Sequence, residues 1–514
     1  MNSLIVIGAS CFLATLLSIV LRRKADLPPV PDASWSTSGL ADRPWRTYKK
    51  WSKSLGPIFS MRRNTTLPTL LRPFGFLLPN ASTTIVIDSL DILVELFQKR
   101  SEIFSDRPWW PMVQLLGRQD NVGFIPYGNK LREARKLLHA ELNPQVVRKW
   151  EPLVEEITQK LMIDLKNAPK GDADHLRRTI RQSVESLMFR LTYGVEPSED
   201  FLSQMAEASK QTGAGLQPGR WAVNSFPILT YVPEWAPGAS FKKWARQAKE
   251  RYVKIVRDPF DMVKADMKYG TAGPSFVSNR LGALKEKSSP ASKKLIMTTA
   301  GSVFNAGTDS TCSIIETLFV LLSLHPSVQE HIYKEIFDTL STISIPFDSA
   351  NSSLPRLPEP RDMKYLEYTE STIKEAFRFN TPVPLLAHTP SISNIYSDWR
   401  IPKGAWILAN LWSINHDEKT FKDPYGFQAD RFLDHAVRDP TSYAFGLGRR
   451  ACPGVSFAMM FLRLVVVRTV SLFEILPIEG PSKTNLKELH FTTGITSSPK
   501  VVNCVFKPRD SNWQ

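Results

Sequence analysis

Apolar residues recur every three to four positions through DSLDILVELFQKR (88–100), NPQVVRKWEPLVEEITQKLMIDLKNA (143–168), HLRRTIRQSVESLMFRLTYG (175–194) and SKKLIMTTAGSVFNAGTDSTCSIIETLFVLLSLH (292–325). This spacing predicts helices over most of residues 90–340. Strand-like patterns are fewer: TTIVIDS (83–89), WRIPKGAWILAN (399–410) and VVNCVFKP (501–508). The pattern is that of a mainly α body with a small β part. No Gly/Ser linker divides it, so one domain is expected over 36–514. Residues 221–250, WAVNSFPILTYVPEWAPGASFKKWARQAKE, interrupt the helical period with aromatic and proline residues and then turn basic. Two readings stay open for them, a core segment with turns or a lid that dips into a membrane interface.

The first apolar run, LIVIGASCFLATLLSIVL (4–21), carries no charge. As a helix it would span about 27 Å, close to a bilayer core of about 30 Å. Arg22, Arg23 and Lys24 follow it and favour the cytosolic side, and LPPVP (27–31) then reads as a stiff spacer. Residues 1–24 are therefore expected to be a single-pass transmembrane helix and residues 25–35 a proline-rich hinge. A cleaved signal peptide fits less well, because the basic residues follow the apolar run instead of preceding it. The sequons at Asn64, Asn80 and Asn351 would then face the cytosol and stay unmodified.

Composition adds limits. With 514 residues, 42% hydrophobic and 22% charged, the chain has a folded globular composition. Its net charge of +15 would suit nucleic acid, an anionic membrane or an acidic protein. No zinc-knuckle spacing, helix-turn-helix cue or RNA-recognition signature accompanies it, so nucleic acid is not an expected partner. The four cysteines, Cys11, Cys312, Cys452 and Cys504, are far apart and form no C-x-x-C pair, which points to a reducing compartment.

One cysteine stands apart chemically. In AFGLGRRACPGVSFAMMFLRL (444–464), Cys452 follows Arg449 and Arg450 and precedes Pro453 at the start of an apolar helix. A helix N-terminus and neighbouring cations favour the thiolate, the ligand form of cysteine. Gly446, Gly448 and Gly454 relieve steric limits, as a flat group lying against the loop would require. A thiolate on a glycine-lined loop, with arginine for carboxylates, makes a sensible haem seat. FGLGRRACPG resembles the haem-binding loop of cytochrome P450 enzymes, with Phe445, Gly448, Arg450, Cys452 and Gly454 at its five fixed positions.

The family's other motifs follow in order. Glu375 and Arg378 in STIKEAFRF look like its Glu-x-x-Arg element, and Arg431 in FKDPYGFQADRFL looks like the arginine completing that network, with Asp430 and Ala429 in place of the usual Glu and Pro. FNAGTDSTCS resembles the oxygen-binding groove, matched by Ala306, Gly307, Thr308, Asp309 and Ser310, with serine where threonine is usual. Glycines inside a helix each cost about 1 kcal/mol relative to alanine, so Gly301 and Gly307 need a reason beyond helix formation. YGNKLREARKLL resembles the helix carrying Trp-x-x-x-Arg; Arg135 is present and Leu131 replaces the tryptophan. His388 in PLLAHTP matches a histidine near the haem.

The resemblance implies the cytochrome P450 fold, a helix-rich triangular prism, and haem b held by Cys452. Asp309 and Ser310 would relay protons while one atom of O₂ enters an apolar small molecule. By the same analogy the pocket draws on the 108–124 loop, Phe304, Val383, Leu385, Leu386, Gly494 and Ile495. No flavin or nicotinamide site is evident, so electrons would come from NADPH through a membrane-bound cytochrome P450 reductase, with cytochrome b5 a further candidate donor. The catalytic domain would sit on the cytosolic face of the endoplasmic reticulum. The segment around FPILTYVPEWAPG (226–238) resembles fungal, particularly mushroom-type, microsomal members associated with secondary metabolism, leaving terpenoid, polyketide and aromatic or indole substrates open. A haem-thiolate isomerase or dehydratase, or a non-catalytic haem sensor, would share the fold; retention of Asp309 and Ser310 argues against both.

Overall fold

The computed structural model describes residues 27–32, 40, 42–62, 83–169, 171–217, 220–285, 289–343, 354–478 and 489–509. The expected transmembrane segment 1–24 and the three sequons lie outside them. The described chain forms two compact units, Met1–Pro108 with Leu385–Asn410, and Trp109–Pro384 with Leu411–Gln514.

The smaller unit holds most of the β structure. Strands β1 (Ile58–Arg62), β2 (Thr83–Ile87), β3 (Leu385–His388) and β6 (Trp406–Asn410) form one sheet in the order β1-β2-β6-β3, and β4 (Asn394–Tyr396) pairs with β5 (Trp399–Ile401). β1 runs antiparallel to β2, β2 parallel to β6 with Thr84 opposite Trp406, and β3 antiparallel to β6. Helix α1 (Pro44–Leu55) starts on a proline and buries Trp45, Tyr48 and Trp51. The Trp51 ring lies 6.3 Å from that of Phe59, and Asn410 Nδ2 donates to the Trp45 carbonyl at 2.9 Å. Part of the expected hinge is docked: the backbone N–H and the hydroxyl of Ser60 donate to the carbonyls of Pro29 and Pro28, both at 2.7 Å. The first helical segment of the sequence pattern becomes α2 (Leu90–Leu93) running into a π-helical turn, Val94–Lys99.

The larger unit is helical: α3 (Pro111–Leu115), α4 (Asn129–Leu142), α5 (Glu151–Lys166), α6 (Ala173–Tyr193), α7 (Glu199–Leu216), α8 (Ser240–Tyr269), α9 (Phe276–Gly282), α10 (Pro290–Leu324), α11 (Pro326–Ile343), α12 (Glu367–Phe379), α13 (Leu411–Asn415), α14 (Thr441–Ala444) and α15 (Val455–Leu472), with the hairpin β7 (Phe473–Pro477) and β8 (Cys504–Pro508). α10 is its axis, 35 residues capped by the Ser289 side chain with Pro290 in the first turn. Ile315, Leu318, Phe319, Leu321 and Leu322 on α10 and Leu464, Val465 and Val467 on α15 are all fully buried. Both helices are long and apolar enough to cross a membrane, yet 72% of the most apolar window of each is buried in the fold. They are core helices.

Packing accounts for the two glycines of α10. A Cβ at Gly301 would come within 2.9 Å of a Val256 methyl on α8, and one at Gly307 would press on the tip of Met188 on α6. Each glycine lets a neighbouring helix approach closely. The 221–250 stretch is packed in part and exposed in part. Val223, Phe241 and Ala245 pack with Met112 and Leu116, while Ile228, Tyr231 and Trp235 stay 70%, 83% and 85% exposed.

Candidate active site

The loop before α15 is built on turns that only glycine enters freely. Gly446 and Gly448 have φ of +78° and +58°, in the left-handed region. Between them the chain doubles back so that the Cys452 N–H donates to the Phe445 carbonyl at 2.7 Å. A Cβ at Gly446 would stand 3.4 Å from the Arg450 carbonyl, and one at Gly454 3.8 Å from the Cys452 sulfur. Cys452 Sγ accepts the Gly454 N–H at 3.4 Å.

Of the cysteines among the described residues, Cys312 and Cys504 are buried and Cys452 is exposed. Burial nevertheless pushes the Cys452 thiol up, against the Gly454 N–H and the charge of Arg135, which pull it down. A sulfur that is exposed yet surrounded by protein lines a recess. The cation near the sulfur is thus Arg135 on α4, whose electrostatic partner is this thiol and not a carboxylate. The two arginines beside the cysteine in sequence point elsewhere. Arg450 donates to the carbonyls of Val122 and Ile125 at 3.3 and 2.6 Å, and Arg449 hydrogen-bonds Tyr127 and lies over its ring. Arg450 is a strap. The Val122 N–H donates to Ser302 Oγ at 3.0 Å, so the 122–125 loop ties the cysteine loop to α10. Leu131, in the place of the family's tryptophan, is 1% exposed and part of the core.

Beneath the loop lies a closed ionic network. The Arg378 fork grips Glu375 through Nε at 2.7 Å and Nη2 at 2.8 Å, and Arg431 Nε reaches Glu375 at 3.1 Å. Arg378 also donates to the carbonyls of Asn415, Pro424 and Gly426 at 3.0, 2.7 and 2.8 Å. Tyr443 OH donates to Asn415 Oδ1 at 2.6 Å, and the Phe377 ring lies 5.2 Å from that of Phe445. The network thereby fixes the segment that leads into Cys452.

On α10, Ser310 Oγ donates to the Ala306 carbonyl at 2.8 Å, which leaves its oxygen as an acceptor. Ala306 is exposed, and Asp309 and Ser310 are half-buried. The Asp309 carboxylate accepts from Arg181 Nη1 at 3.1 Å and from Ser209 Oγ at 2.8 Å. Phe304 does not line a pocket: it is 2% exposed, and its ring packs edge-on against Phe189 and Phe201 at 5.9 and 5.5 Å. One residue along a helix is a rotation of about 100°, and the half-buried Asn305 and exposed Ala306 hold the accessible side. Val383 is half-buried, while Gly494 and Ile495 are exposed.

In the smaller unit, Leu385 packs against the cluster of Leu40, Tyr48, Trp51 and Phe59; its β3 neighbour Leu386, by strand alternation, points to the opposite face of the sheet. His388 is 2% exposed, stacks on Phe97 at 4.0 Å, and donates from Nδ1 to the Phe104 carbonyl at 2.8 Å. Close by, Arg107 hydrogen-bonds the Ala387 carbonyl, and its buried Nε has no hydrogen-bond partner among the described residues. Burial pulls it down to about 10, with Asp106 opposing. Sequence reading missed Arg107. A buried guanidinium is visible only once the fold is known.

These residues fit a thiolate-held haem: a recessed lone thiol on a glycine cradle, and the half-buried cation Arg135 paired with no carboxylate among the described residues. The comparisons agree. Residues 72–503 match the cytochrome P450 family. The chain is 30% identical to cytochrome P450 monooxygenase COX1 of Coprinopsis cinerea, over 92% of this chain and 88% of that protein. It is likewise 30% identical to the tryptamine 4-monooxygenase of Psilocybe cyanescens, over 83% of each. A zebra fish cytochrome P450 solved with abiraterone superposes with a TM-score of 0.69 at 20% identity, over 91% of this chain and 100% of that one.

Proposed function

The chain belongs to the cytochrome P450 family, as a monooxygenase similar to fungal members, and from that premise we propose that it oxidises an apolar or aromatic small molecule of secondary metabolism. The observation that carries this is the recessed thiol of Cys452 on its glycine loop, beside Arg135. Membership implies a haem cofactor; Cys452 would ligate its iron, and Arg135 beside the thiol would meet a carboxylate. Haem, when bound, supplies the redox chemistry that inserts one oxygen atom of O₂ into the substrate. Ser310, whose hydroxyl donates to the Ala306 carbonyl, keeps its oxygen free to accept a hydrogen bond and would serve the proposed proton relay from there. The Asp309 carboxylate, the second proposed member of the relay, is held in place by Arg181 and Ser209. A relative at 30% identity acts on tryptamine, which makes indole-ethylamines the first compounds to supply to cells expressing this protein with a reductase. NADPH and O₂ consumption with a product one oxygen heavier supports the reading; substrate conversion without O₂ uptake would replace it with an isomerase or dehydratase.

Ser310→Ala should still bind substrate and consume NADPH, but with product per NADPH lowered several-fold and hydrogen peroxide raised, since the acceptor is lost. Ser310→Thr should keep or improve coupling, because the added methyl narrows the rotamer choice. Unchanged coupling in Ser310→Ala would remove the residue from proton delivery.

Electrons are proposed to come from an NADPH-dependent cytochrome P450 reductase, with cytochrome b5 a further candidate donor. The enzyme is proposed to sit on the endoplasmic reticulum, catalytic part in the cytosol. The exposed Ile228, Tyr231 and Trp235, followed by Lys242 and Lys243, support a second membrane contact besides residues 1–24. Deleting residues 1–24 should weaken vesicle binding without abolishing it. Adding Tyr231→Asp and Trp235→Asp should lower what remains by at least about 100-fold, from roughly 1.5–3 kcal/mol for each buried aromatic. Equal sedimentation of both truncated forms would refute the contact.

A further inference from the structure

Asn305 stands in the middle of α10, immediately before the exposed Ala306 and five positions before Ser310. Asparagine is a poor residue for a helix interior, because its amide competes for the helix's own hydrogen bonds. Here the amide is tied to its own helix: Nδ2 donates to the Gly301 carbonyl, four residues back, at 2.8 Å. A carbonyl only accepts, so the nitrogen end must face it and the amide cannot be turned round. Oδ1 is left without a hydrogen bond from the described residues, and it remains accessible. Ser302, three and four positions before Asn305 and Ala306, shares their face of the helix. Its hydroxyl is already engaged, donating to the Thr298 carbonyl at 2.8 Å and accepting the Val122 N–H at 3.0 Å. That bond brings the 122–124 segment against the same face, and with it Phe124, whose ring meets Trp110 edge-on with centroids 6.3 Å apart. Ser310 donates to the Ala306 carbonyl and keeps only its acceptor. The oxygens of Asn305 and Ser310 are therefore open to a ligand, against a single remaining N–H of the Asn305 amide.

We propose that Asn305 determines which substrates this enzyme accepts: its Oδ1 takes a hydrogen bond from an N–H or O–H carried by an aromatic substrate. The inference rests on the proposed oxidation of an aromatic small molecule, and adds to it the group that the substrate must carry. An acceptor in a pocket wall discriminates in both directions. A substrate with a donor at this point replaces the water it displaces. One of the same shape with an ether oxygen or a methyl there leaves Oδ1 covered and unpaired, and the oxygen sets lone pair against lone pair. Such recognition exceeds selection by size, because an added or missing methylene changes binding only modestly whereas a polar group of the site left unpaired loses its hydration without return. Leucine at 305 is close to asparagine in volume and better suited to a helix, so replacing the amide by it removes the acceptor and little else.

Equilibrium dialysis of the full-length, haem-loaded protein against two matched pairs of probes tests this. Indole and benzofuran differ by an N–H against a ring oxygen, and 2-naphthol and 2-methylnaphthalene by an O–H against a methyl. In at least one pair, the preference for the donor-bearing member should be about 10-fold larger in the wild type than in Asn305→Leu. The pair that shows the change tells N–H from O–H. Taking the ratio within a pair removes any effect of the substitution on pocket volume. Asn305→Asp keeps an acceptor at the same place and should keep the preference; a preference lost in Asn305→Asp as well as in Asn305→Leu would assign the effect to packing and overturn the proposal. Probes that bind with the same ratios in the wild type and Asn305→Leu would also overturn it, as would a wild-type preference for benzofuran that Asn305→Leu abolishes, since the remaining N–H would then make the contact. These outcomes leave the aromatic reading of the substrate standing. No binding of any probe would overturn that reading, and the role of Asn305 with it.

Discussion

Arg378→Ala should leave almost no soluble, haem-loaded protein. The Arg378 and Glu375 side chains are both 0% exposed, so the substitution strands a carboxylate in the interior that, among the described residues, keeps only Arg431 and the Gln428 N–H to hold it. Breaking one side of a buried ion pair costs about 3–5 kcal/mol. The carbonyls of Asn415, Pro424 and Gly426 lose their donor as well, at about 1–3 kcal/mol for each one left unsatisfied. Domains are stable by only about 5–15 kcal/mol. Arg378→Lys keeps the charge but cannot reproduce the fork or reach all three carbonyls, and should fall between. Haem content per soluble polypeptide and the urea midpoint check this. An Arg378→Ala protein with the wild-type midpoint would mean that the network is not what holds the cysteine loop.

The network was legible in the sequence only through the order of its motifs. A Glu and an Arg three apart on a helix ordinarily make an exposed pair worth little, and nothing in STIKEAFRF says that both are buried. The cysteine loop was legible from chemistry, since a lone thiol among glycines has few other uses. The cation was misassigned: Arg449 and Arg450 are adjacent in sequence, yet the loop turns Arg450 onto Val122 and Ile125 and leaves Arg135 of α4 beside the sulfur. Phe304 was misplaced for a related reason. α10 buries apolar residues on nearly every face, so its pattern does not mark which side is accessible, and a one-residue error turns a pocket wall into core. The sheet was half visible. β2, β6 and β8 fall in the strand-like runs of the sequence, but the parallel pairing of Thr84 with Trp406 joins segments more than three hundred residues apart, and no local signal carries it. Arg107 stands in unremarkable sequence, and burial alone makes it unusual.

Cys452→Ala should abolish oxygenation altogether. The two other cysteines among the described residues are buried, with thiols pushed up by burial, Cys504 to about 12, and neither lies in a glycine loop at a helix start. Neither can replace the lost ligand. Cys452→Ser keeps the shape of the loop and the Gly454 contact but offers a far weaker anion, so it should fold, bind haem weakly and turn over no substrate. The most direct measurement is the reduced, CO-bound absorption spectrum of the full-length protein beside that of Cys452→Ser. A Soret band at the thiolate position in the wild type that is lost in the variant is the result expected; a thiolate band that persists in Cys452→Ser, or is missing from an intact haem-loaded wild type, would contradict the assignment of Cys452.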